Sequence, residues 1–139
     1  MNNVIIYTNE RGSVAVCVPT GEIPIEQVKQ TDIPAGVESF IVDADSLPGQ
    51  DGDFFDAWEQ TNGVVTVNLE KAKEITKNRL RIEREPLLAA QDVAFMRAIE
   101  TNANVDAVLM EKQRLRDLPA LADNCQSLEQ LRALKAAKV

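Results

Sequence analysis

The sequence predicts an α+β chain: a small β-hairpin-rich unit at residues 1–68, then a helical region at 69–139. Three observations predict it. Short apolar runs separated by turn residues fill the first half. From Asn68 onward the apolar spacing becomes helical. No glycine follows Gly63, which suits long helices.

The elements follow in order. Val4–Tyr7 is an apolar, β-rich run, Asn9 to Gly12 a turn, and Ser13–Val18 puts Val14, Val16 and Val18 on one face; together they predict a hairpin. Pro24–Gln30 predicts a short helix, with Pro24 tolerated in the first turn and Ile25 and Val28 facing inward. Ser39–Val42 predicts a third strand, and Asp43–Asp56, with Pro48, Gly49 and Gly52, a loop. Ala57–Glu59 and Val64–Val67 flank an Asn62-Gly63 turn and predict a second hairpin. The expected core of this half is Ile5, Val14, Val16, Val18, Ile25, Val28, Phe40, Val42, Trp58, Val65 and Val67.

Asn68 is placed to cap the long helix, with Glu70 suited to the dipole in its first turn. Glu70 with Lys73, Glu74 with Lys77, Arg79 with Glu83 and Arg81 with Glu85 are spaced for ion pairs worth about 0.2–0.5 kcal/mol each. Pro86 is expected to kink this rod or to start a new helix. Before Pro86 the apolar stripe is thin (Ala72, Ile75, Leu80, Ile82), so this part is expected to be the less protected. After it, Leu87, Leu88, Val93, Ala94, Phe95, Met96 and Ile99 spread round the helix and ask for burial on several sides. A turn at 101–104, with Asn102 or Asn104 as N-cap, leads to a helix over Val105–Arg116 with Val105, Val108, Leu109 and Leu115 inward. The short connection predicts an antiparallel helical hairpin over 86–118. Ser127 to Gln130 is a capping box opening a last short helix at 127–136, with Leu128, Leu131 and Leu134 inward.

Composition excludes much chemistry. The chain has no histidine, the commonest general base and zinc ligand. Its net charge of −7 repels phosphate backbones, so no nucleic acid is expected as a partner. No apolar stretch is long enough to span a membrane, and the N-terminus reads as no signal peptide. Cys17 sits in an alternating apolar run as a small hydrophobe and Cys125 in a loop-like segment. A disulfide between them is possible but unsupported, and reduced thiols, as in a cytosol, are the simpler reading.

Three groups of residues remain. Asp43, Asp45, Asp51, Asp53 and Asp56 carry oxygen ligands in pairs, but without EF-hand spacing; turn-forming and capping aspartates are the plainer reading, and neither metal nor cofactor is expected. Arg79, Arg81 and Arg84 resemble an anion clamp. With Glu83 and Glu85 interleaved they read as a solvated charged face, or else as a surface that docks on an acidic partner. Leu88, Phe95 and Ile99 fall within about 40° on a helical wheel at ~100° per residue, with Met96 beside them, and are expected either in the core or against another chain.

At these residues a family resemblance enters. Asn78–Glu100 and Glu111–Leu134 resemble the C-terminal region of small tail proteins of tailed bacteriophages, including tail-fibre assembly and tail assembly chaperone-like proteins. Arg79, Arg84, Leu87, Leu88, Asp92, Gln113, Leu115, Arg116, Asp117 and Pro119 carry the resemblance; Val93 stands where chaperone-like members commonly have Trp. The resemblance implies a non-enzymatic phage tail accessory protein with no catalytic residues. It would be a structural adaptor at the tail tip or fibre attachment, or alternatively a transient assembly chaperone absent from the mature virion. It implies partners among other tail or tail fibre proteins, or a homo-oligomer. Partner-binding residues would be Arg79, Arg84, Leu88, Phe95, Met96 and Ile99. Its place would be the virion tail, or the host cytoplasm during assembly.

Overall fold

The computed structural model describes residues 2–137 of an α+β chain. It divides into two compact units, Met1–Lys71 and Ala72–Val139, with the division in the first turn of a long helix.

In the first unit β1 (Asn3–Thr8) is the middle strand of an antiparallel sheet, between β2 (Val14–Cys17) and β3 (Ser39–Asp43). Ile6 pairs with Val16 on one side and Phe40 on the other. Val4–Tyr7 is apolar throughout rather than alternating because both faces of the strand are covered. Val4 and Ile6, with Val14, Val16, Phe40 and Val42, pack on Trp58 and Val65. Ile5 and Tyr7, with Cys17 and Ile41, pack on Val28 and Ile33. The core expected as one set is therefore two clusters on opposite faces. One face is closed by α1 (Ile25–Thr31), the other by the hairpin β4 (Trp58–Thr61) and β5 (Val64–Val67).

Asn62 and Gly63 both have positive φ (53° and 84°), the backbone a two-residue hairpin turn of matching twist requires. A Cβ on Gly63 would sit 3.3 Å from the Phe40 ring. Val18, expected inward, lies past the end of β2 and is 72% exposed. The Asp43–Asp56 stretch is more ordered than a loop. It forms 3-10 turns at Ala44–Ser46 and Gly49–Ala57, the second burying Phe54 and Ala57. Trp58 Nε1 donates to the Asp51 carbonyl at 3.2 Å, which ties this stretch to β4.

The second unit is built on α2 (Leu69–Glu100), capped by Asn68 Oδ1, which accepts from the Lys71 amide. Asn68 Nδ2 and Lys71 Nζ both donate to Glu59, and these bonds lower its carboxyl pKa. No new helix starts at Pro86; α2 runs through it unbroken. The carbonyl deprived of a donor there belongs to Ile82, which is 72% exposed, so water can satisfy it. Asn102, in the left-handed region, ends the helix, and Asn104 Oδ1 accepts from the Asp106 amide to open α3 (Asp106–Asp117). α3 returns antiparallel to α2: Lys112 meets Asp92, and farther along Arg84 meets the end of α3. A 3-10 segment (Leu118–Asn124) and α4 (Leu128–Ala133) follow, the latter capped by Ser127 Oγ accepting from Gln130.

The core of this unit is Leu80, Leu115, Leu118 and Ala136, with Leu87, Leu88 and Leu134 packed against it. The buried residues of α2, Ala72, Thr76 and Leu80, all precede Pro86. That reverses the expectation of a poorly covered rod before the proline and a buried helix after it. The thin stripe suffices because chain beyond α3 returns over it, and the Thr76 hydroxyl enters the interior by donating to the Ala72 carbonyl at 2.9 Å. Leu109, expected inward on α3, is 46% exposed.

Candidate docking surface

Arg79 and Arg84 do not form the solvated face expected of them. Arg79 Nη2 donates to the carbonyls of Leu131 (3.1 Å) and Leu134 (2.8 Å), and its Nη1 to Glu83 (2.7 Å). Arg84 Nη1 donates to the carbonyls of Leu115 (3.1 Å) and Arg116 (2.9 Å), at the end of α3 where helix carbonyls lack partners. Both guanidinium groups hold this unit's own chain together. Leu88 is half-buried against the core.

Phe95 is half-buried, with Lys112 Nζ 5.3 Å from its ring centre. The same ammonium lies 2.7 Å from Asp92 Oδ1. Lys112 therefore links α3 to α2 through an ion pair and a cation–π contact at once. Beyond this link the far half of the hairpin has little cover. Val93, Met96 and Ile99 step along α2 at intervals of three and are 50%, 60% and 58% exposed; Met110 on α3 is 73% exposed. Ala89 and Ala90 are exposed as well. The breadth of the apolar stripe, which read as a demand for burial on several sides, is instead divided. Phe95 and Ala94 are half-covered by the hairpin, and the remainder faces solvent. Sequence reasoning assigned Leu109 inward and overlooked Met110; the phase of α3, fixed by buried Leu115, carries both away from the inner face. Arg97, Glu100 and Asp106, all exposed, supply both signs of charge near the tip.

In the acidic stretch Asp43 caps the short turn that follows it. Asp43 Oδ1 accepts from the Asp45 amide at 3.0 Å, and the Ser46 hydroxyl donates to the Asp43 carbonyl at 2.6 Å. Among the described residues no group of three or more His, Cys, Asp or Glu side chains could hold a metal ion, and no helix is long and apolar enough to cross a membrane. Cys17, half-buried, and Cys125, buried, are free thiols. Comparison with protein-family models, with curated proteins and with solved structures finds no match to the chain.

Proposed function

We propose that the chain is a non-enzymatic accessory protein of a bacteriophage tail, a structural adaptor at the tail tip or fibre attachment that acts by protein–protein docking. The observation that carries the docking reading is the exposed aliphatic row Val93, Met96 and Ile99 on a helix whose other side is already occupied by its hairpin mate. Uncovered apolar side chains in a row favour association. Arg97, Glu100 and Asp106 near them carry mixed charge, which suits a protein surface better than an anionic membrane, where a basic polar face is required. The phage setting rests on the sequence resemblance spread over Arg79–Pro119.

The second reading is a transient tail or tail fibre assembly chaperone, absent from the mature virion. Exposed Met96 and Met110 favour it, since methionine adapts to exchanging partners. Mass spectrometry of purified particles from the encoding phage separates the two. The adaptor reading expects the chain in the particle at a fixed ratio to another tail protein. Its presence in assembling lysates but absence from particles would move the assignment to the chaperone. Its absence from both would remove the phage setting.

A further inference from the structure

We propose that the cleft between the middle of α2 and the Leu118–Asn124 turn binds carboxylates and receives an acidic segment of a protein partner. It is an open cleft of about 270 Å³ into which Lys77, Arg81, Arg84 and Arg116 converge over Pro119. Its carboxylate, Asp123, is already held by Lys77 at 2.6 Å. The guanidinium groups are not neutralised. Arg81 donates to the side-chain oxygen of Asn78 at 2.8 Å, and Arg84 donates to two backbone carbonyls, all uncharged acceptors. Among the described residues neither these two nor Arg116 forms an ion pair with a carboxylate.

Three uncompensated positive charges thus gather in one cleft of a chain whose net charge is −7. The two carbonyls fix Arg84 in place, so its remaining N–H groups are oriented before a ligand arrives. Guanidinium forks match carboxylates two bonds at a time. A phosphate backbone is the poorer ligand, because its affinity grows with the number of phosphates neutralised and this cleft offers only a few cations in one place. Arg79, the residue the sequence marked first, lies outside the cleft lining and is occupied by Glu83. The cleft takes the same class of partner as the docking reading but does not use the Met96 and Ile99 face, so the two can fail separately.

Fluorescence anisotropy of a labelled hexaglutamate peptide on the full chain at low ionic strength tests this. Arg81→Ala with Arg116→Ala is the variant, since both side chains are exposed. Arg84 is left intact because it caps α3. Binding is expected to weaken about tenfold or more in the double variant. It should be screened by added salt. Arg97→Ala and Met96→Asp with Ile99→Asp should leave it unchanged. No binding by the unmodified chain, equal loss in Arg97→Ala, or tighter binding of a single-stranded DNA of equal charge would overturn the proposal.

Discussion

Arg79 and Glu83, one turn apart on α2, together hold the end of α4 and the chain that follows it. Arg79 donates to the carbonyls of Leu131 and Leu134, while Glu83 accepts from the Ala136 amide at 3.2 Å and from Arg79 at 2.7 Å. Arg114 holds the Ala136 carbonyl at 2.8 Å. Ala136 is fully buried in the same cluster as Leu80. Polar bonds and apolar packing therefore meet at one point, and the last described turn of the chain closes the core of its unit.

Replacing Arg79 by Ala should release that segment. The Leu134 carbonyl loses its donor, the Leu131 carbonyl keeps only the Leu134 amide at 3.2 Å, and Glu83 loses its ion-pair partner; the loss is expected to be about 1–3 kcal/mol in denaturant-monitored stability. Arg79→Lys keeps the charge but not the fork, and should recover only part of it. A midpoint unchanged in Arg79→Ala would show that water replaces the guanidinium without cost.

Acid should act through the same pair. Burial opposes ionisation of Glu83, but hydrogen bonds from Arg79 and the Ala136 amide, with the charges of Arg79 and Lys135, outweigh it and hold the carboxyl below its ordinary value of 4.5. A carboxylate depressed on folding contributes stability that is present above its unfolded pKa and lost as pH falls through the folded one. Stability should therefore fall from about pH 5 downward. Glu83→Gln should lower stability at neutral pH and make the acid slope shallower, leaving the share that Glu59 contributes in the same direction. Parallel pH profiles for the two proteins would contradict this role for Glu83.

Along α2, hydrogen exchange should report where the cover lies. Amides from Ala72 to Glu83 sit over buried Ala72, Thr76 and Leu80, and are expected to exchange more slowly than those from Val93 to Glu100, where α2 buries no residue. Equal protection on the two sides of Pro86 would mean that the exposed end is as firmly held as the core.

The β4–β5 turn is a separate test of local geometry. Gly63→Ala must hold φ of 84° and push a methyl against the Phe40 ring. It is expected to cost about 1–3 kcal/mol. Thermal unfolding unchanged in this variant would show that the hairpin shifts register or turn type freely.

What the sequence disclosed, and what it hid, follows from the range of the interactions. The Asn62-Gly63 turn, the Asn68 cap and the Ser127 cap are read within a few residues, because their hydrogen bonds close locally. The apolar run Val4–Tyr7 marked a strand but not that both its faces are covered, since that depends on α1 and the β4–β5 hairpin arriving from later in the chain. The same blindness misplaced Val18 and Leu109 and inverted the burial of α2. The residues that cover its thin stripe, Leu118 and Ala136 among them, lie far along the chain. Arg79 showed its partner Glu83 by spacing but not its carbonyl acceptors, which lie 52 and 55 residues away. At the candidate surface, the stripe Leu88, Phe95, Met96 and Ile99 was visible. Only the position of α3 divides it into half-covered Phe95 and exposed Met96 and Ile99.

The most direct measurement of the docking account is incorporation into particles of the chain and of Met96→Asp with Ile99→Asp, expressed in turn from the encoding phage. Both side chains are more than half exposed, so the variant should fold with an unchanged melting temperature. We expect the unmodified chain in purified particles at a fixed ratio and the folded variant left in the soluble fraction. Incorporation of the variant at the level of the unmodified chain would contradict the account.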